Sequence, residues 1–183
     1  MKKRVALLIG CAMITLSLVL TGCTPAAPTE TPAEEEPEVV KVGWIGSLTG
    51  DQAVWGTCEL NTVKMLFEDI NEKGGLLGKQ VEVIGYDTRG DATEAVNAVR
   101  RLTAQDKVIA VIGPNASGQA IPISSVLEEM KVPDIATVAT NPKVTVNDDG
   151  SIKPFNFRVC FIDPYQGAVA AGYAYDILGF RKA

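Results

Sequence analysis

From residue 39 onward, short runs of apolar and β-branched residues alternate with longer amphipathic segments. The short runs predict five strands, at residues 39–45, 80–87, 108–112, 134–138 and 155–161. The longer segments predict helices at residues 57–71, from Asp91 to residue 102, at 117–130 and at 164–178. Strands and helices alternate up to the fourth strand, and a long polar loop through residues 147–150 then leads to the fifth strand and the last helix. This order predicts an open, doubly wound α/β layer with a mostly parallel sheet.

Details of these segments support that prediction. The helix at residues 57–71 carries Leu60, Val63, Phe67 and Ile70 at helical spacing. Asp91 and Glu94 have the spacing of a capping box at the start of the second helix. The run 108–112 is apolar at every position, as expected of a central parallel strand covered on both faces.

Ligands of such sheets bind outside the carboxyl ends of the strands. This rule selects three loops, at residues 46–56, 113–117 and 139–141. None of them carries the glycine pattern of a dinucleotide site or a P-loop, so we expect no nucleotide cofactor.

The amino terminus predicts export. Lys2, Lys3 and Arg4 precede an apolar run at residues 5–20, which is short for a bilayer span and normal for a signal peptide. The run ends at Cys23 in a pattern that resembles the bacterial lipobox. We therefore expect residues 1–22 to be a lipoprotein signal peptide and Cys23 to be lipidated, with an ordinary signal peptide or a short membrane anchor as alternatives.

Residues 24–38 are rich in proline and glutamate and contain no large apolar side chain. Such a composition cannot bury a core, so residues 23–38 are predicted to be a lipidated cysteine and a disordered tether. Cys11 would leave with the signal peptide. Cys58 and Cys160 would remain as thiols that an oxidising compartment could pair, although spacing alone does not establish their geometry.

Composition excludes several kinds of chemistry. The 183 residues include no histidine, which removes a histidine general base, histidine-containing triads and imidazole zinc sites. The formal charge of −5 argues against a nucleic-acid partner. An enzyme would have to use aspartates such as Asp51, Asp87 and Asp163, but aspartates at these places also cap helices and turns. We expect a protein that is not an enzyme and that carries neither a metal nor a cofactor.

Two hydroxyl residues are candidates for binding an anion. Ser117 begins a helix, where unpaired backbone N–H groups and the helix dipole favour a carboxylate. The alternative is that Ser117 only caps its own helix. Pro122 would fall in the second turn, so either the helix starts later or its first turn is distorted. Thr140 follows the next strand, and its hydroxyl and amide could converge with those of Ser117 on one carboxylate.

Trp55 is placed at the end of the first loop, either as a ligand contact or packed against the first helix.

Four segments together resemble the substrate-binding proteins of branched-chain amino acid ABC transporters: VKVGWIGSLTGDQAVWG, DINEKGGLLGKQVEVIGYDTRGD, VIAVIGPNASGQAIPISSVLEEMKVPDIATVATNP and FRVCFIDPYQG. The resemblance implies the type I periplasmic-binding-protein fold, in which two α/β lobes surround a cleft. Residues 39–183 would then form most of the N-terminal lobe, with the second lobe missing from this chain.

The resemblance also implies roles for individual residues. Ser117 and Thr140 would hold the carboxylate of an amino acid, and the Val138 carbonyl would accept from its ammonium. The backbone at Asn115 would lie near the ligand, and Trp55 would wall the side-chain pocket. The segment 115–120 lacks the serine-rich run of the best-known leucine binders, which puts the identity of the ligand in question.

The function that follows is capture of a branched-chain or related neutral amino acid and its delivery to an ABC permease. The receptor would be anchored by lipid on the extracytoplasmic side of the cell membrane. The alternative keeps the fold and binds an amide, urea or an aromatic acid, or serves as a sensory receptor.

Overall fold

The structure is a computed structural model and describes residues 39–182. The predicted signal peptide, Cys23 and the tether lie outside these residues. The described chain contains a five-stranded parallel sheet with the order β2-β1-β3-β4-β5. The strands are β1 (Val40–Gly46), β2 (Val81–Asp87), β3 (Ala110–Ile112), β4 (Asp134–Ala136) and β5 (Asn156–Arg158).

Four α-helices connect or follow the strands: α1 (Ala53–Glu72), α2 (Ala92–Arg101), α3 (Ser117–Met130) and α4 (Asp163–Asp176). A π-helical turn, Leu102–Asp106, extends α2, and a short 3-10 helix, Pro142–Val144, follows β4. The predicted doubly wound α/β class is confirmed. Within residues 39–182, no helix combines the length and the apolar character needed to cross a bilayer.

Alternation along the strands divides the core between the two faces of the sheet. Trp44 of β1 packs on one face with Leu60 and Val63 of α1. Its neighbour Ile45 packs on the other face with α2 and α3, in a larger cluster. The members of that cluster are Ile45, Ala95, Ala98, Val99, Leu102, Val108, Val111, Ile123, Val126 and Leu127. The sheet is therefore covered by α1 on one side and by α2 and α3 on the other.

Element boundaries differ from the predicted ones. Helix α1 begins at Ala53 instead of residue 57, because its first turn is closed by backbone hydrogen bonds and carries no side-chain cap. Strands β3, β4 and β5 are shorter than the apolar runs that predicted them, and Ile109 is 58% exposed. Hydrogen bonds to neighbouring strands continue one residue beyond these bounds, from the Ile109 N–H to the Lys41 carbonyl and from the Val159 N–H to the Ala136 carbonyl. Most of the other apolar residues around these strands belong to the connecting segments.

The predicted start of α2 is half right. The Asp91 carboxylate accepts from the backbone N–H groups of Thr93 and Glu94, as a cap should. The reciprocal bond of a capping box does not form, because the Asp91 N–H donates to the Thr88 carbonyl. The Glu94 carboxylate instead lies 3.9 Å from Arg89.

Asp134 is an acidic residue at the start of β4 that is fully buried. It pairs in the sheet with Val111 of β3 and Asn156 of β5, and neither of its carboxyl oxygens has a hydrogen-bond partner among the described residues. Burial raises the pKa of Asp134 well above its usual range; the nearby Ile135 N–H opposes this shift, and the Glu59 carboxyl adds to it. The neutral acid is therefore the form that the fold favours.

We predict that Asp134 makes the protein less stable as pH rises. The unfolded chain ionises this residue near pH 3.9 and the folded chain only at higher pH, so the folded state loses stability as pH rises above that value. Asp134→Asn removes this contribution and should flatten the decline in the free energy of unfolding between pH 4 and pH 8, measured by urea titration. The exposed Asp51→Asn controls for loss of one negative charge. An equal pH dependence in wild type and Asp134→Asn would contradict the prediction.

Candidate ligand-binding cleft

The order of the strands creates a crevice beside β1. Strand β1 has β2 on one side and β3 on the other, so the chain leaves β1 and β3 toward opposite faces of the sheet. In open α/β sheets this switch point is where ligands bind. Gly113 closes β3 against β1 here: its φ is +91°, and a Cβ at this position would lie 2.2 Å from the Ile45 carbonyl oxygen. Only glycine permits this approach.

A cleft of about 240 Å³ lies at this edge of the sheet, lined by Gln52, Trp55, Asn115, Ala116 and Val138. These residues come from the segments after β1, β3 and β4, which are the loops that the sequence selected or their immediate neighbours. Three predicted site residues, Trp55, Asn115 and Val138, are thus brought together. Ser117 and Thr140 do not line the cleft, although each lies within two residues of a lining residue.

Trp55 lies in the first turn of α1 and not in a loop. Its side chain is 69% exposed, so the alternative that it packs against the helix is wrong. The next residue, Gly56, is where α1 touches the segment after β1, because a Cβ there would lie 2.0 Å from the Ser47 carbonyl oxygen. The absence of a side chain at Gly56 lets the first turn of α1 lie directly against the segment after β1.

The start of α3 offers unpaired donors. Ala116 occupies the N-cap position and Ser117 is the first helical residue. The backbone N–H groups of Ser117 and Gly118 have no acceptor within residues 39–182. The Ser117 hydroxyl does not cap the helix; it accepts from the Asn141 N–H at 3.2 Å. The interpretation of Ser117 as only a cap is therefore wrong.

Pro122 is accommodated inside α3 without delaying the start of the helix. Because proline has no N–H, the Gly118 carbonyl lacks its usual helical donor, and the first turn is weaker than normal. Of the two alternatives that the sequence left open, the later start is wrong.

The hydrogen bond between Ser117 and Asn141 joins the loops after β3 and β4. Thr140, the residue before Asn141, is therefore held beside the start of α3. The backbone N–H of Thr140 has no acceptor among the described residues. The side-chain oxygen of Asn115, at the cleft, is buried and also unpaired in this part of the chain. The unpaired N–H groups thus belong to residues that follow the cleft-lining residues Ala116 and Val138 by one or two positions.

A buried polar network beneath the cleft was not predicted. The Thr88 hydroxyl donates to the Gln119 side-chain oxygen at 2.7 Å, and the Gln119 amide donates to the Ser47 hydroxyl at 3.4 Å. Ser47 and Thr88 oxygens are 3.5 Å apart. All three side chains are buried, and they tie the segments after β1 and β2 to the first turn of α3. Only the position of Ser47 and Thr88 directly after strands could have indicated them.

Glu59 is a second unpredicted feature. It lies on α1, one turn after Trp55 and three residues after the buried Gly56. The spacing of three residues from Gly56 is the sequence signal that could have indicated a buried position for Glu59. Both carboxyl oxygens are buried and unpaired within the described residues, as is the Thr137 hydroxyl. Burial raises the pKa of Glu59, and the nearby Thr137 hydroxyl partly opposes the shift. A carboxyl with a raised pKa thus lies near Thr137, the residue before Val138.

Asp87, one of the aspartates considered for acid–base chemistry, is occupied as an acceptor. Its carboxylate accepts from the Leu48 and Arg89 N–H groups, each at 2.8 Å, and from the Thr49 hydroxyl at 2.7 Å. Burial acts to raise the pKa of Asp87, but the Thr49 hydroxyl and these amides lower it overall. Asp87 therefore remains ionised and stabilises the segment after β1.

The two cysteines of the described chain are both free thiols. Cys58 is exposed on α1, whereas Cys160 follows β5 and lies 3.5 Å from the Ala139 carbonyl oxygen. The structure contains no bond between them.

Comparison with known proteins places the chain in a family. Residues 39–183 match the family described as "Periplasmic binding protein". An "Amino acid binding protein" of Pseudomonas aeruginosa is 34% identical over 143 residues, which cover 78% of this chain and 37% of that protein.

Two solved structures share the fold. A leucine binding protein from Thermotoga maritima is 39% identical, with a TM-score of 0.67 over 76% of this chain and 38% of its own. A branched-chain amino acid transporter substrate binding protein from Streptococcus pneumoniae, solved with isoleucine, is 30% identical, with a TM-score of 0.71 over 78% of this chain and 39% of its own. The chain belongs to the periplasmic binding protein family, and it spans well under half the length of these relatives.

We predict that Gly56→Ala destabilises the protein. The added methyl group would overlap the Ser47 carbonyl, so α1 must move, and the expected loss is about 1–3 kcal/mol of unfolding free energy. Gly172→Ala in α4 is the matched control, because open space surrounds it and an alanine there favours the helix. Urea unfolding of both variants measures the difference, and equal stability of the two would contradict the tight contact at Gly56.

Proposed function

We propose that the cleft binds the carboxylate of a small amino acid at the start of α3. The observation that carries the proposal is the set of unpaired backbone N–H groups at Ser117, Gly118 and Thr140, beside the Ser117 and Thr140 hydroxyls. A helix N-terminus with free amides stabilises a carboxylate through hydrogen bonds and the helix dipole.

The remaining lining residues suit the rest of a neutral amino acid. Trp55 offers an exposed aromatic face to an apolar side chain. Val138 is 54% exposed at the edge of the cleft, and its carbonyl is proposed to accept from the ligand ammonium. The backbone at Asn115 would contact the ligand between them. A branched-chain amino acid would fit the apolar wall and the polar donors together.

For the whole protein, we propose a solute-binding receptor of an ABC importer. The names of these relatives describe proteins that bind amino acids or transporter substrates. Each relative is more than twice as long as the region that matches this chain. In this proposal residues 39–183 form most of one lobe, and a second lobe would close over the ligand and signal its presence to the permease. No bond of the ligand is made or broken, so the absence of histidine is no obstacle.

In this proposal, ligand recognition depends on the carboxylate of the ligand and not on its ammonium group alone. Small aromatic acids are therefore the second candidate ligands, since the Trp55 wall would also accept a ring. Thermal-shift measurements with branched-chain amino acids, their amides and aromatic acids separate these candidates, because at equal concentration a ligand that binds the folded protein more tightly stabilises it more.

We predict that Ser117→Ala and Thr140→Ala in the full-length protein each weaken L-leucine binding by about 1–3 kcal/mol, through loss of hydrogen bonds to a charged group. Ser125→Ala is the control, because this hydroxyl lies on the same helix, bonds only to the Pro122 carbonyl and is exposed. Isothermal titration calorimetry measures all three. Unchanged affinity in both site variants would eliminate the site assignment, whereas wild-type protein that binds no amino acid would eliminate the function.

We further propose that Cys23 carries the lipid that anchors the receptor to the membrane. Cys23→Ser should remove the lipid, so that the protein leaves the membrane fraction and its mass lacks the diacylglyceryl group. Cys58→Ser, a change at an exposed cysteine of the described chain, should leave both unchanged. Membrane association retained by Cys23→Ser would instead support an uncleaved anchor at residues 5–20.

A further inference from the structure

Arg158, at the end of β5, makes an unusual number of hydrogen bonds to one loop. Its Nη1 donates to the Ala139 carbonyl at 3.0 Å and to the Asn141 carbonyl at 2.9 Å. Its Nη2 donates to the Pro142 carbonyl at 3.0 Å and to the Thr145 hydroxyl at 2.8 Å. One side chain thus binds four acceptors in the segment 139–145, which follows β4 and contains Thr140.

These bonds determine the direction of the peptide group between Ala139 and Thr140. Its carbonyl oxygen is held by Arg158 and also lies 3.5 Å from the Cys160 sulfur. In a trans peptide the N–H points opposite to the carbonyl. The Thr140 N–H is therefore directed away from Arg158, and it is one of the unpaired donors described above.

Contacts on the other sides complete the support of this loop. The Asn141 N–H donates to the Ser117 hydroxyl at 3.2 Å, which joins the loop to the start of α3. The Thr140 carbonyl accepts from the Asp163 N–H at 3.1 Å, at the start of α4. Among these contacts only Arg158 supplies a charge, and a charged donor on a carbonyl polarises the peptide and strengthens its N–H as a donor.

We propose that Arg158 is a positioning residue for carboxylate recognition: it fixes the segment 139–145 so that the Thr140 N–H meets the ligand carboxylate. The inference rests on the proposed function, and it adds a residue that lies outside the cleft. It assigns Arg158 the task of selecting a carboxylate over the uncharged amide of the same ligand.

The geometry requires arginine at this position. A guanidinium carries five N–H donors in a planar fork and can bind separate acceptors with two nitrogens. A lysine ammonium is a single point with three donors, so it cannot reach all four acceptors of the segment at once. Arg158→Lys keeps the charge and loses the fork, whereas Arg158→Gln loses both.

A matched control exists in the segment after α4. Arg181 donates from Nη1 to the Tyr175 and Phe180 carbonyls, at 2.7 and 2.9 Å, and it is exposed. Arg181→Gln therefore removes the same charge and the same type of bond at a place that does not touch the segment 139–145.

The experiment uses the full-length protein and two readouts. Calorimetry with L-leucine and L-leucinamide measures affinity and carboxylate preference. Hydrogen–deuterium exchange of the ligand-free protein measures protection of the segment 139–145. We expect Arg158→Gln to lower leucine affinity by about tenfold or more and any leucinamide affinity by a much smaller factor. We also expect the segment 139–145 to lose protection from exchange in this variant. Arg158→Lys should restore only part of each, and Arg181→Gln should match wild type in both.

The inference is overturned if Arg158→Gln keeps the wild-type leucine affinity. It is also overturned if the segment 139–145 of that variant exchanges at the wild-type rate. Full recovery of both by Arg158→Lys also overturns it, because the charge alone would then suffice. A wild-type protein that binds neither probe eliminates the proposed function and, with it, the carboxylate-selecting task. The exchange readout then still reports whether Arg158 holds the loop, so the two failures are distinguishable.

Discussion

The hydrogen-bonded triangle of Ser47, Thr88 and Gln119 holds together the part of the structure on which the proposed function depends. Each residue comes from a different element: the segment after β1, the segment after β2 and the first turns of α3. Their side chains are buried, so each polar atom needs its partners inside the protein, and loss of one would leave the others unsatisfied. The triangle thereby keeps the N-terminus of α3 beside the switch point of the sheet.

The same region combines rigid support with unpaired donors. Asp87 holds the segment after β1 through two backbone amides and the Thr49 hydroxyl, and Arg158 holds the loop after β4. The Ser117, Gly118 and Thr140 amides between these supports have no partner among residues 39–182. A site whose donors are fixed before the ligand arrives loses little conformational freedom on binding.

Much of the fold and part of the site could be predicted from the sequence, because alternation of apolar runs and helical stripes is a local signal. That signal located the parallel sheet, the stripe on α1 and the three loops at its carboxyl edge. It placed the start of α1 too late, because the first turn carries Val54 and Trp55, both exposed, and no capping residue. It did not find Arg158, Glu59 or the Ser47 triangle, because the residues that surround each of them lie many positions away and only the folded chain brings them together.

The central claim concerns where a carboxylate would bind. It is tested most directly by a crystal structure of the full-length protein grown with L-leucine. We expect the ligand carboxylate within about 2.7–3.2 Å of the Ser117 and Thr140 amide and hydroxyl groups, with the side chain against Trp55. A ligand whose carboxylate lies elsewhere, or whose ammonium faces the start of α3, would contradict the account.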